Sequence, residues 1–241
     1  MLLLFAHERR PSIDVLRQVA AETERLAVTS ELGPVEGGAA LTGIEVLRDG
    51  MSYDLVGSAP GPGIVLPTMR YRLGVPKDVI ESRKVALALQ PGPHLAAGAR
   101  TVPVVRTMMG VAAMIAPHLP GLRALAWPPA GTLIGPEFFV SSMTAWLTGG
   151  AFPALGLTAF AADGQGWLSS EGLAYFTGQE LRIAPELAED RAAATRLGIR
   201  LVNQLVGRGR VKAREGIIGP EGDRLVLEPS ADGRYVAIRR G

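Results

Sequence analysis

The chain has 241 residues, with 25 Lys and Arg against 23 Asp and Glu, no cysteine, 47% hydrophobic and 5% aromatic residues. That length and apolar content suit one large or two small globular units with a proper core, which excludes a disulfide mini-protein and a long disordered chain. Without thiols there is no cysteine nucleophile, iron–sulfur cluster or Cys-ligated zinc, and a net charge of +2 leaves nucleic acid or an anionic membrane only a local patch to hold.

Leu2 to Ala6 reads as a first strand, in a start too short in apolar run and wrongly flanked by charge for a signal peptide. Ser12 can cap a helix whose apolar positions Ile13, Leu16, Val19, Ala20 and Leu26 fall on one face. Gly33 to Gly38 is a loop. Ile44–Leu47 and Ser52–Val56 predict a hairpin around Arg48-Asp49-Gly50, since Asp-Gly tolerates the positive φ of a tight turn. Ala59 to Gly63 is rigid punctuation, and Val85–Leu89 a buried strand stopped by Pro91-Gly92-Pro93.

Thr101 to Ala116 is apolar nearly all round and predicts a covered helix, with Met108, Met109 and Met114 as core filler. Leu122–Trp127 is the next strand, followed by a helix over Pro136–Leu147 with proline in its first turn. Phe138 to Ala162 carries no charge, but Gly149-Gly150 and Pro153 interrupt it, so helix, turn and strand explain it better than a membrane span. Ala154–Ala161 and Leu168–Phe176 read as strands around Asp163-Gly164-Gln165-Gly166. A long helix is expected from Pro185 to Val206, with acids at its start and Gly207 past its end. Arg224–Leu227 and Tyr235–Ile238 close the chain as two strands.

Hairpins outnumber crossovers in this order, so the expected class is α+β, a mainly antiparallel sheet with helices packed on it. Two ferredoxin-like βαββαβ halves, residues 1–120 and 121–241, are expected to pack as one compact unit.

Chemical motifs are mostly missing. Gly-Lys never occurs, which removes the phosphate-binding GxxxxGK[ST] loop, and neither GxGxxG nor GxSxG is found. His7, His94 and His118 are far apart and form no His-x-x-x-His pair, so no metal or cofactor is expected. His118, at a helix end, can act as a general base, and His7 ends the first strand. Arg208, Arg210, Lys212 and Arg214 alternate with small or apolar residues. In an extended segment they would project to one side and grip anions, but no aromatic lies nearby for base stacking.

Ala126-Trp127-Pro128-Pro129-Ala130-Gly131, running on to Pro136-Glu137-Phe138-Phe139, and the stretch from Glu171 to Ile183 resemble the bacterial family called domain of unknown function 4261. The match in the second stretch is carried by Gly172-Leu173, Phe176, Glu180, Leu181 and Ile183, with Thr177 and Arg182 departing from the pattern. The resemblance implies a strand ending in Trp-Pro that leads into a helix, and a later strand, but no activity. Strand alternation puts Glu180 and Arg182 on a solvent face opposite Leu181 and Ile183; the alternative is that Glu180 is a buried acid with a raised pKa, and hence functional.

The leading functional expectation is a cytoplasmic, non-catalytic binding or protein-interaction module, with no membrane partner and nucleic acid disfavoured. The alternative is a carboxylate- and His-dependent hydrolase using His118 with Glu137, Glu171 or Glu180. A second alternative is anion or nucleic-acid binding through Arg208 to Arg214.

Overall fold

A computed structural model describes residues 1–5, 9–33, 41–75, 79, 85–220 and 222–241, so His7 lies outside the described residues. The chain divides into two compact units, Met1–Pro128 with Thr132–Gly150, and Pro129–Gly131 with Ala151–Gly241. The first unit runs past the expected division at 120/121 because Leu122–Trp127 adds a strand to its sheet.

The first unit holds nine strands, β1 (Leu2–Phe5), β2 (Ala27–Leu32), β3 (Gly43–Arg48), β4 (Met51–Val56), β5 (Ile64–Val65), β6 (Tyr71–Leu73), β7 (Val85–Pro91), β8 (Leu122–Trp127) and β9 (Thr132–Ile134). Their order is β2-β3-β4-β7-β1-β8-β9-β6, with β5 also on β7, and every pair but β6–β9 is antiparallel. The β3–β4 hairpin forms as expected, its turn using positive φ at Asp49 (50°) and Gly50 (77°). Helix α1 (Ile13–Ala21) starts at Ser12, whose Oγ accepts from Val15 N, and buries Leu16, Val19 and Ala20.

Helix α2 (Val102–Ile115) buries nine of its residues, Met108 and Met109 among them, as its all-round apolar sequence requires. Tyr53 ties it to the sheet by donating to Val104 O at 2.9 Å. Helix α3 (Pro136–Leu147) ends against α2, where Arg106 donates to Trp146 O (3.1 Å) and Leu147 O (2.8 Å) and lies 5.6 Å from the Trp146 ring centre. On another face of the sheet Leu2, Leu4, Ala86, Ala88, Ala124 and Ala126 form a second core with Val56, Ile64 and Met69. Each large side chain buried this way contributes about 1.5–3 kcal/mol.

The second unit contains α4 (Ala154–Leu157), β10 (Ala159–Ala162), β11 (Leu168–Glu171), α5 (Ala174–Thr177), β12 (Glu180–Ile183), α6 (Arg191–Arg208), β13 (Glu215–Ile218), β14 (Arg224–Pro229) and β15 (Tyr235–Arg240). Its sheet order is β10-β11-β12-β15-β14-β13, with β12 and β15 parallel and the other pairs antiparallel. Helix α6 packs on it through Ala194, Leu197, Leu201, Val202 and Leu205.

Two open, mostly antiparallel sheets with helices make this an α+β fold. Two matching βαββαβ halves go further than the sheets do. One sheet has nine strands and the other six, and β12 and β15 lie side by side with no strand inserted.

Several boundaries also differ from expectation. Ala154–Leu157 is helical, closed by Thr158 Oγ1 donating to Ala154 O at 2.6 Å, so the strand begins only at Ala159. Pro185–Leu187 is a separate turn, and α6 starts at Asp190, whose carboxylate accepts from Ala192 N and Ala193 N. It ends at Gly209 (φ 81°), not Gly207. Among the described residues no helix is long and apolar enough to cross a membrane.

Candidate functional site

Of the residues named from sequence, His118 and Glu137 belong to the first unit, and Glu171, Glu180 and Arg208 to Arg214 to the second. His118 ends the turn after α2 and its Nδ1 lies 3.7 Å from Glu22 Oε2, both side chains about half exposed. Glu137 is exposed in the first turn of α3, and Glu171 is the last residue of β11. Arg208 to Arg214 is no comb of cations. Arg208 is the last residue of α6 and pairs with both carboxylate oxygens of Glu215 (2.8 and 2.9 Å), while Arg210 donates to Gly233 O at 2.7 Å. Val211 turns inward, its N–H donating to Gln179 Oε1, and β13 begins only at Glu215.

Glu180 is where alternation misleads. Leu181 and Ile183 are fully buried as expected, but the Glu180 carboxylate is not left to solvent. It accepts from the backbone N–H groups of Gly172 (2.8 Å), Leu173 (3.1 Å) and Ala174 (3.1 Å) and from the Ser170 hydroxyl. Burial pushes this carboxyl up, against the four hydrogen bonds that pull it down. The chain leaves β11 at Gly172 with φ 94° and enters α5 because those three N–H groups find their acceptor here. Glu180 thus holds a bend in the second unit.

A second polar arrangement lies at one end of the first sheet. In the β3–β4 register Glu45 faces Asp54, and in the β4–β7 register Asp54 faces Gln90. Strand alternation sends Glu45, Ser52 and Asp54 to one side while Ile44, Val46, Tyr53 and Leu55 go to the other. A bulge between Val28 and Ser30 leaves Thr29 without a facing partner, and its hydroxyl donates to Glu45 Oε1. Ser52 Oγ donates to Glu45 Oε2 at 3.0 Å and lies 3.3 Å from His94 Nδ1.

Gly92 makes that last approach possible. A Cβ there would sit 2.9 Å from Ser52 Oγ and 3.3 Å from His94 Cε1. The turn Pro93–Gly98 then folds the exposed His94 back over the strand end. With Nδ1–H on His94, the donors run in the order His94, Ser52, Glu45, so one hydroxyl links an exposed imidazole to a carboxylate.

Asp54 is only 9% exposed, and among the described residues its Oδ1 has no hydrogen-bond partner. Burial raises its pKa, with the Glu45 charge acting the same way and Gln90 and His94 against it. None of these four was singled out as a site from sequence. The signal was present in the hairpin, because a two-residue turn at Asp49-Gly50 pairs positions on either side in register and so puts Glu45 opposite Asp54.

Among the described residues no three His, Asp or Glu side chains gather closely enough to hold a metal ion. Comparison of the chain with protein-family models, with curated proteins and with solved structures finds no match in any of the three.

Proposed function

We propose that the protein is a binding or protein-interaction module that leaves its ligand chemically unchanged, and that the polar end of the first sheet is its binding face. Asp54 carries this reading. A buried acid with one unmatched oxygen weakens a fold, and such departures from local consistency concentrate where a ligand or partner uses the group. A thermal-shift screen of small molecules and peptides on wild type and Asp54→Asn tests it. A ligand that raises the Tm of wild type but not of the variant supports the reading; a screen in which every hit stabilises both equally sinks it.

The hydrolase reading keeps one observation in its favour, the Ser52 hydroxyl set between Glu45 and His94 Nδ1. A fluorophosphonate probe that labels wild type but neither Ser52→Ala nor His94→Ala would transfer the function to that reading. On Trp127-Pro128-Pro129 and the Gly172 to Ile183 stretch we group the chain with the domain of unknown function 4261 family, and a cytoplasmic location goes with the same proposal.

A further inference from the structure

Five of the described acids meet an arginine. Glu31, Asp49, Asp163, Glu215 and Glu228 pair with Arg17, Arg48, Arg182, Arg208 and Arg239. Glu45 and Asp54 are different. Among the described residues neither is paired with a lysine or an arginine, although they face each other on adjacent strands. Two carboxyl groups side by side repel when both are ionised, and the repulsion is strongest where water is excluded, as at Asp54. The arrangement lacks a positive charge.

We propose that Glu45, with Asp54 behind it, binds an organic ammonium or guanidinium group. The inference rests on the binding-face reading above and names the ligand chemistry. Glu45 is the half-buried member of the pair and the one a ligand meets, while Asp54 acts through charge alone and needs no direct contact. An N–H cation fits better than a divalent metal, which wants six or more oxygen ligands, because among the described residues no three His, Asp or Glu side chains gather closely enough to hold one.

The cation supplies the positive charge that the facing carboxyl groups lack. The charged groups acting on Asp54 are Glu45 from β3 and His94 from the turn after β7, with the Gln90 amide from β7.

Isothermal titration of the whole chain with n-butylammonium and n-butylguanidinium, with n-butanol as neutral control, at neutral pH, tests this. The expected result is binding of at least one cation and none of butanol. Glu45→Gln and Asp54→Asn should each weaken binding about tenfold or more. Circular dichroism establishes that both variants fold, and Asn at 54 relieves the fold in any case.

An acetyl-Gly-Lys-Gly-amide arm separates the sources. Tighter binding than n-butylammonium assigns the cation to a partner protein's side chain, and equal or weaker binding to a free amine. Cations that bind no better than butanol, or binding unchanged in Glu45→Gln, would overturn the inference. If the wider screen still finds an Asp54-dependent ligand that carries no cation, the binding face stands and the cation falls.

Discussion

Glu45 and Asp54 occupy facing positions on adjacent antiparallel strands, yet Asp54 is shut away from water while Glu45 is tied to two hydroxyl groups. Burial makes ionising Asp54 costly, and that cost in stability can be measured.

Asp54→Asn should raise stability at neutral pH by on the order of 1 kcal/mol, the scale of relieving a desolvated polar group without a full set of partners. The sign follows from the direction of the shift. Burial holds the folded carboxyl above its unfolded value, so between the two the folded chain keeps a proton that the unfolded chain has lost. Stability conferred below the unfolded value is therefore lost as pH rises through the folded one. Urea titrations should show the variant ahead at neutral pH and the gap closing in acid. A less stable variant at neutral pH would contradict this.

Glu180→Ala should destabilise the second unit by about 2–4 kcal/mol, because three backbone N–H groups and a hydroxyl lose one shared acceptor. Glu180→Gln keeps an acceptor oxygen but adds two donors, and should fall between Ala and wild type. A shift in urea midpoint at unchanged m-value is the readout.

Gly172→Ala should cost about 2–4 kcal/mol by two routes. The backbone sits at φ 94°, where a side chain is strained, and the new Cβ would lie 2.7 Å from Ala130 Cβ and 2.9 Å from Leu157 O. Gly207→Ala is the control. It lies inside α6 with nothing within 4 Å of the added carbon, and should be neutral or stabilising.

Arg106→Lys should lose about 1 kcal/mol despite keeping the charge. The guanidinium reaches two carbonyls at the end of α3 and also lies over Trp146, a combination that a single ammonium point charge does not reproduce. Thermal unfolding of Arg106→Lys and Arg106→Ala side by side measures how much of the tether is charge and how much is geometry.

Legibility from sequence tracked the strength of local signals. The β3–β4 hairpin, α2, α3 and β8 carry turn chemistry or apolar periodicity of their own, and they sit where the residues indicate. β2 was missed because its residues are mostly exposed and so carry no alternation, and β5, β6 and β9 because two or three residues hold no period. Gly172 and Glu180 were separated by the strand reading of Leu168–Phe176. What ends that strand is a carboxylate eight residues on, a contact that pattern does not contain. At the candidate site the register placing Glu45 against Asp54 was readable, but the burial that makes Asp54 unusual comes from tertiary packing.

The parallel pairing of β12 with β15 has a consequence for how the second unit is made. Leu181 and Ile183 must wait for Val236 and Ile238, which leave the ribosome more than fifty residues later. During that interval the β10–β11–β12 meander has an unpaired flank along β12, and α6 has only part of a surface to dock on. Nascent chains stalled before residue 235 should therefore depend on a holding chaperone, and release from it should coincide with synthesis of the final strand.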